Sequence, residues 1–216
     1  MKWWDMFLEL LYPTCCPGCG TKTDLYYQWC ESCVKEFWNP RLINSSYTEH
    51  LDGCYTLCNY QGALRQCILQ MKYGRESCRK RAFPMLLDRF PWWDRLKNAE
   101  DVIPIPLSRF KYQKRGYNQV DLIFRSWMES HGRNYLPHGL VRIRNTETQS
   151  LLAREERYRN IDGVFHINRN IDVRHHFVLL LDDVYTTGAT MESAARELKR
   201  VGACRVTGLT IASGAL

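Results

Sequence analysis

The segment from residue 177 to residue 212 limits the possible folds of this chain more than any other. Residues 177–181 form an uninterrupted apolar run, which predicts a strand buried on both faces, as in a parallel sheet. Residues 191–201 repeat apolar side chains at three- and four-residue spacing, which predicts an amphipathic helix capped by Gly202. Residues 204–212 predict a second strand. Strand, helix and strand make the right-handed crossover unit of a parallel sheet, so we predict an α/β fold.

Two acids and a hydroxyl-rich turn separate the first predicted strand from the helix. Asp182 and Asp183 stand where the strand is predicted to end, which is where open α/β sheets bind ligands. The turn that follows offers backbone N–H groups, hydroxyls and a positive helix terminus to one anion. Its residues are Thr186, Thr187, Gly188, Ala189 and Thr190. We expect this turn to bind a sugar phosphate, and the acids to accept hydrogen bonds from ribose hydroxyls and tune a nearby Mg²⁺ directly or through water.

Two other interpretations of this string are weaker. A buried strand followed by a solvated acidic turn accounts for Asp-Asp alone, but not for the whole run from 178 to 190. A Walker B strand also ends in acids, but it requires an upstream Gly-x-x-x-x-Gly-Lys-Ser/Thr loop. The chain contains no Gly-Lys pair and no Gly-x-Gly-x-x-Gly string, so neither common nucleotide fingerprint is present.

Two Cys-x-x-Cys turns near the N-terminus predict a metal site. Cys16 and Cys19 form the first turn, and Cys30 and Cys33 form the second. Two such turns bring four thiolates into a tetrahedron that suits a structural Zn²⁺. Redox-active or simply buried cysteines are the alternative, and Cys15 is able to replace Cys16 in a looser turn. A zinc ribbon of this kind also offers a surface for nucleic acid or a protein partner.

Composition bounds the rest of the organisation. The 216 residues carry a net charge of +7, which suits phosphate-bearing ligands or nucleic acid but also an ordinary basic surface. No apolar run is long enough to span a membrane, and residues 1–12 predict an amphipathic helix rather than a signal peptide. Ten cysteines without a secretion signal favour metal binding in a reducing cytoplasm. We predict an N-terminal helix and zinc ribbon at 1–50 and an α/β domain at 51–216.

The middle of the chain contains further elements and a second basic segment. Predicted strands lie at 55–60, 101–106, 140–143 and 164–167, and predicted helices at 62–71, 79–90 and 120–129. The loop after Pro106 contains a dense basic run that includes Arg109 and Arg115. This run is either a second anion site or a solvated charge cluster. Residues 144–160 are polar and arginine-rich, which is typical of a lid or of a short exposed helix.

Together these segments resemble the ComF family over nearly the whole chain. The matching pieces are the four cysteines, Lys72-Tyr73, residues 103–107, residues 115–119, Thr146 with Gln149, Arg157 with Asn160, and residues 178–190. The string at 178–190 is similar to the phosphoribosyl-pyrophosphate signature of type I phosphoribosyltransferases. The resemblance implies that fold, a mostly parallel sheet flanked by helices, with an N-terminal zinc ribbon. It also implies a role in natural competence, handling incoming single-stranded DNA beside a helicase-like ATPase.

Carried over by position, the resemblance divides the site among named residues. The turn at 186–190 would bind the 5-phosphate of phosphoribosyl pyrophosphate, and Asp182 and Asp183 would be the catalytic acids at the ribose. The segment from Arg109 to Arg115 would lie at the pyrophosphate, and residues 145–160 would form the lid.

Two functions follow from this resemblance. The first is an enzyme that binds phosphoribosyl pyrophosphate with Mg²⁺ and transfers the phosphoribosyl group to an unidentified acceptor. The second is a non-catalytic adaptor that binds single-stranded DNA or the ATPase. The intact acids and turn favour ligand binding in either case.

Overall fold

A twisted sheet with helices on both faces forms the centre of the computed structural model. The structure describes residues 14–24, 28–44, 48–74, 77–143 and 163–214. Its helices are α1 (Glu31–Phe37), α2 (Gly62–Tyr73), α3 (Pro84–Asp88), α4 (Arg109–Arg115), α5 (Gln119–Ser130) and α6 (Ala189–Arg200). Its strands are β1 (Trp38–Ile43), β2 (Cys54–Asn59), β3 (Asp101–Pro104), β4 (Asn134–Tyr135), β5 (Leu140–Arg142), β6 (Phe165–Ile167), β7 (Phe177–Tyr185) and β8 (Arg205–Ser213). The predicted helix at 1–12 and the predicted lid at 144–160 lie outside the described residues.

The sheet has the predicted parallel topology. Six strands follow the order β1-β2-β8-β7-β3-β4, and every neighbouring pair from β2 to β4 is parallel. Only β1, at one edge, runs antiparallel to its neighbour β2. Strands β5 and β6 form a separate antiparallel pair. The prediction of a mostly parallel α/β fold is therefore confirmed.

Strand β7 lies between β8 and β3 and is buried on both faces. Leu179 and Leu181 belong to the apolar core on one face, with α2, α3 and α5. Val178 and Leu180 belong to the core on the other face, with α6 and the β5–β6 pair. This alternation explains why the strand reads as a continuous apolar run rather than as an alternating pattern.

Strand β7 is longer than its apolar run predicts. The run predicts an end at Leu181, but Asp182 still pairs with Thr210 and Tyr185 with Ser213 of β8. The register with β8 therefore continues four residues past the apolar run. The two acids lie inside the last part of a strand, so their side chains leave it on opposite faces.

Two further expectations are corrected by local backbone chemistry. Residues 79–90 do not form one helix, because a 3₁₀ segment (Ser77–Ala82) ends before Pro84, which starts the short helix α3. The basic segment after Pro106 is a helix, α4, rather than a loop. The Ser108 hydroxyl caps its N-terminus by accepting from the backbone N–H of Lys111, and Gly116, with φ of 84°, ends it.

The segment after the second Cys-x-x-Cys turn packs against the central sheet. Cys30 precedes α1, and the Val34 and Phe37 side chains of α1 enter the core. The next segment, β1, pairs with β2 from Trp38 to Ile43. The cysteine turns are thus tied to the sheet by a short helix and an edge strand. Within the described ranges, no helix combines the length and the apolar character that crossing a bilayer requires.

Candidate functional site

A cavity of about 260 Å³ opens at the carboxyl end of β7. Segments distant in sequence meet there, namely the ends of α2 and β7, the segment after β3, α4, β5 and the first turn of α6. Its polar lining residues are Tyr60, Lys72, Tyr73, Lys111, Gln119, Arg142, Asp182, Asp183, Thr186 and Thr190. The lining therefore brings two acids, three cations and two threonine hydroxyls to one space.

An ion pair lies inside this cavity. Lys72 Nζ lies 2.7 Å from Asp183 Oδ2, and the two side chains are 19% and 4% exposed. Burial alone would lower the pKa of Lys72, but Asp183, together with Asp182 and Tyr60, more than offsets this effect and the pKa is raised. Lys72 is therefore a fixed positive charge at neutral pH, held by a carboxylate that is itself almost inaccessible to water.

Asp182 lies next to this pair in a different environment. Burial raises its pKa, the charge of Asp183 adds to the rise, and Lys72 acts in the opposite direction. Asp182 Oδ1 also accepts a hydrogen bond from the Asp183 backbone N–H at 2.8 Å. A cation bound beside Asp182 would favour its ionised form.

Two further cations, Lys111 and Arg142, line the cavity. Burial lowers the pKa of Lys111, and the charges of Arg142 and Arg115 lower it further. Burial also lowers the pKa of Arg142, which the Asp182 carboxylate partly opposes. These cations repel one another and are partly desolvated in the structure. An anion such as a phosphate group would relieve both costs.

The turn between β7 and α6 depends on one glycine. Gly188 has φ of 86°, and a Cβ there would lie 2.2 Å from the Tyr185 hydroxyl. The Thr187 hydroxyl accepts from the Ala189 backbone N–H at 3.4 Å, and α6 begins directly afterwards. Thr186 and Thr190, on either side of this glycine, line the cavity. Their positions bring two hydroxyls and the N-terminus of a twelve-residue helix to the anionic ligand expected there.

Residues 115–119 connect three structural elements beside the cavity. Arg115 donates to the Gln119 side chain, and the Tyr117 hydroxyl donates to the Met71 backbone carbonyl at 2.6 Å. Asn118 caps α5 by accepting from the Val120 N–H, and its amide donates to the Ile105 carbonyl at 3.0 Å. This short segment thereby fixes α2, α5 and the stretch after β3 relative to one another.

A second cluster lies in the N-terminal cysteine turns. The sulfur atoms of Cys16, Cys19, Cys30 and Cys33 all lie within 4.8 Å of one another. The backbone N–H groups of Gly18 and Cys30 both donate to Cys16 Sγ at 3.4 Å. Cys15 lies outside this cluster, and its backbone bridges to Lys22 instead.

The four sulfurs fit a tetrahedral metal ion. Zn–S bonds of about 2.3 Å place tetrahedral sulfurs about 3.8 Å apart, and Cys19 Sγ lies 3.5 Å from Cys30 Sγ. Hydrogen bonds from Thr21 lower the pKa of Cys19 to about 6, which favours the thiolate that metals bind. Burial raises the pKa of Cys33, and a bound cation would offset that rise.

Comparisons with known proteins agree with this geometry. The family model described as "Phosphoribosyl transferase domain" matches residues 141–215. Competence protein F of Haemophilus influenzae is 28% identical over 196 residues, which cover 87% of this chain and 79% of that protein. Competence protein ComFC of Bacillus subtilis is 28% identical over 200 residues, 91% of this chain and 76% of that protein. The chain is similar to the ComF proteins over most of its length.

The relatives also include proteins with a different name. DNA utilization protein YhgH of Escherichia coli K12 is 28% identical over 199 residues, which cover 89% of this chain and 81% of YhgH. The matched phosphoribosyltransferase domain contains both acids, the turn and Arg142. Lys72 and Lys111 come from outside the matched residues, so segments that precede the matched domain complete the cavity.

The structure places the predicted site residues unequally. Asp182, Asp183, Thr186 and Thr190 line the cavity, and the turn between the two threonines is formed by Thr187, Gly188 and Ala189. Arg115 does not line the cavity, but it donates a hydrogen bond to Gln119, which does. Arg109 is exposed and is not a lining residue.

Sequence reasoning assigns no role to five of the polar residues that line the cavity. These are Tyr60, Lys72, Tyr73, Gln119 and Arg142. Lys111 enters the sequence prediction only as part of the basic run. The available signal is Lys72-Tyr73, which matches a family motif at the end of a predicted helix but suggests no chemistry by itself.

Proposed function

We propose that this protein binds phosphoribosyl pyrophosphate with Mg²⁺ in the cavity at the end of β7, and that it acts in the cytoplasm in DNA uptake during natural competence. One observation carries the proposal. Two acids, a hydroxyl-bearing turn and three cations converge on one cavity of about 260 Å³, and the turn and acids lie in a matched phosphoribosyltransferase domain. The competence role is supported by the names of the two competence relatives.

The lining residues divide naturally among the parts of such a ligand. The turn at 186–190 would bind the 5-phosphate, and Asp182 and Asp183 would accept hydrogen bonds from the ribose hydroxyls. Lys111 and Arg142 would face the pyrophosphate, with Arg109 and Arg115 adding to the positive potential at that end. Carboxylate oxygens are also ligands that Mg²⁺ prefers, so the acid pair fits the metal.

Transfer would require little covalent chemistry from the protein. The bond between C1 of the ribose and the pyrophosphate oxygen would break, pyrophosphate would leave with the electron pair, and an acceptor nucleophile would bond to C1. When bound, Mg²⁺ would neutralise charge on the departing pyrophosphate. The chain's own contribution would be positioning by the turn and acids, with Lys111 and Arg142 stabilising the leaving group.

The cysteine cluster has a separate role in this proposal. Cys16, Cys19, Cys30 and Cys33 would bind a structural Zn²⁺, because four protein ligands leave no open position for substrate. Two of these cysteines are buried in the same apolar core as α2 and α5. The metal would therefore stabilise the packing of the cysteine turns on the main domain.

A second candidate function, binding of single-stranded DNA, is favoured by one surface. Tyr73, Phe110 and Tyr112 are 74%, 66% and 52% exposed at the mouth of the cavity and on α4. Basic side chains alternate with these rings along α4. Exposed rings stack on bases, and interleaved cations bind phosphates. In this candidate the protein is an adaptor for DNA or for a helicase-like ATPase, and the name of the YhgH relative points the same way.

Calorimetric titration tests the first candidate. The zinc-loaded chain is titrated with phosphoribosyl pyrophosphate and Mg²⁺, and we expect micromolar affinity, about −8 kcal/mol. The double variant Asp182→Asn/Asp183→Asn should lose this binding. The variant Asp172→Asn should keep it, because Asp172 is an exposed acid that pairs with Arg174 and does not line the cavity. Absence of binding by the intact chain would contradict the proposal.

The DNA candidate has its own test. Affinity for a fluorescent oligonucleotide should fall linearly on a plot of log affinity against log salt, because phosphate contacts release counterions. Replacing Phe110 and Tyr112 by alanine should weaken binding without changing that slope. Binding that is absent, or insensitive to salt, would rule out direct engagement of DNA.

A further inference from the structure

Helix α2 connects the cysteine cluster to the ligand cavity. A Cβ added to Gly18, between Cys16 and Cys19, would lie 2.7 Å from Ala63 Cβ in the first turn of α2. The last turn of α2 supplies Lys72 to the cavity. Ala63 and Lys72 are separated by a helical rise of about 14 Å. One short helix therefore has the cluster at its first turn and the Lys72–Asp183 ion pair at its last.

The start of α2 is held by the cysteine region rather than by its own cap. Gln61, the N-cap residue, makes no side-chain cap bond, and its amide instead donates to the Glu36 carbonyl at 2.7 Å. A Cβ on Gly62 would lie 1.9 Å from the Glu36 carboxylate, so α1 and α2 approach closely at this point. Helix α1 begins directly after Cys30 and contains Cys33.

The buried face of α2 packs in the same core as the cysteine turns. Leu64, Ile68 and Met71 of α2 are fully buried in a core that also contains Cys16 and Cys33. A Cβ on Gly18 would also lie 3.0 Å from Cys33 Sγ of α1, so the first cysteine turn is closely packed against both α1 and α2. Close-packed interiors transmit displacement rather than absorb it.

The far end of α2 is fixed by two contacts. The Met71 carbonyl accepts from the Tyr117 hydroxyl, and Lys72 pairs with Asp183. Because Asp183 is almost fully buried, a displacement of Lys72 would leave a carboxylate without its partner. The pairing of Lys72 with Asp183 in the cavity therefore depends on the position of α2.

We propose that metal binding at the four cysteines positions Lys72 against Asp183 through helix α2, so that metal occupancy and ligand affinity at the cavity are coupled. This inference rests on the proposed zinc site and the proposed phosphoribosyl ligand. Without the metal, no metal–sulfur bonds link the two cysteine turns to each other, and the packing that supports the first turn of α2 is lost. By linkage, ligand binding must raise metal affinity by the same factor as metal raises ligand affinity.

Hydrogen exchange of the full chain tests the coupling without any ligand. Zinc-loaded and zinc-stripped protein are compared, and we expect stripping to speed amide exchange throughout α2 up to Lys72. Helix α6 packs in the core on the other face of the sheet and serves as the internal reference. Faster exchange that is confined to residues 14–37 would overturn the proposal.

A second variant covers the case in which stripping unfolds the chain. Gly18→Ala keeps all four cysteines but pushes the first cysteine turn away from Ala63 of α2. The variant should therefore retain zinc and still speed amide exchange in α2. Lys22→Ala, on the exposed surface of the same turn, is the matched control and should change neither. Unchanged α2 exchange in a zinc-loaded Gly18→Ala protein would contradict the coupling.

Ligand titration then separates this inference from the proposed function. Affinity for phosphoribosyl pyrophosphate with Mg²⁺ should fall at least fivefold in the stripped or Gly18→Ala protein. In a Lys72→Met background, removing zinc should no longer change the ligand affinity, because Lys72 is the residue through which the proposed coupling acts. Equal affinity with and without zinc would overturn the coupling and leave the proposed ligand intact. No affinity in the zinc-loaded wild type would overturn the ligand, and the exchange pattern of α2 would still decide the coupling.

Discussion

At the scale of single residues, the Lys72–Asp183 pair joins stability to the chemistry of the cavity. Removing Lys72 leaves a buried carboxylate uncompensated, a loss that typically costs about 3–5 kcal/mol. We expect Lys72→Met to lower the free energy of urea unfolding by about 3 kcal/mol, and Lys72→Met with Asp183→Asn to lose much less than the sum of the single changes. Lys97→Met, which breaks the exposed pair with Asp94, should cost less than about 1 kcal/mol. Additive single effects would contradict the buried pair.

Gly188 is constrained both by its backbone angle and by its neighbour. Alanine there would have to adopt a left-handed φ and displace the Tyr185 hydroxyl. Gly132 has φ of 69°, and a Cβ there would have no neighbour within 4 Å. Gly132→Ala therefore measures the cost of the angle alone, about 1 kcal/mol. Gly188→Ala should destabilise the protein clearly more than Gly132→Ala in the same urea titration, and equal losses would show that the Tyr185 contact is unimportant.

At the scale of secondary-structure elements, long periodic segments were predictable and short capped ones were not. Helix α6 is predicted within two residues at each end, because its apolar spacing marks one face. The sequence predicts a loop in place of helix α4, since its seven residues have no apolar period and its ends are set by Ser108 and Gly116. Lys72 and Arg142 reach the cavity from elements far from β7 in sequence. No local sequence pattern indicates that these two residues contact the acids of β7 in the folded chain. The acids were therefore predictable as site residues, and their cationic partners were not.

Asn118 gives an element-scale prediction, because it caps α5 and also holds the segment that follows β3. Asn118→Ala removes both bonds and leaves the Ile105 carbonyl without its donor, so we expect a loss of about 2 kcal/mol in urea unfolding. Asn118→Asp keeps the capping acceptor but not the donor, and should recover part of that loss. If the aspartate variant were as unstable as the alanine variant, the contact with Ile105 rather than the cap would dominate.

At the scale of the whole molecule, the cavity works against the stability of the fold. Burial and the neighbouring Asp183 raise the pKa of Asp182 above its ordinary value, so the folded chain retains a proton there that the unfolded chain releases. Stability from this group is therefore greatest at low pH, and it falls as the pH rises from the unfolded pKa toward the folded one. Ligand sites commonly carry such a cost, because an arrangement that binds a cation and a sugar is strained without them.

The variant Asp182→Asn measures the cost of burying the Asp182 carboxylate, because it removes the charge and keeps the fold. The amide keeps the shape of the side chain but has no charge to desolvate, so the variant should be more stable than the wild type at pH 8 and should lose most of that advantage at pH 5. Urea unfolding of both proteins at the two pH values measures the difference. The same substitution should weaken phosphoribosyl pyrophosphate binding at pH 8, where stability improves. A stability difference that does not change with pH would mean that Asp182 titrates normally, and the cavity would then hold its acids without strain.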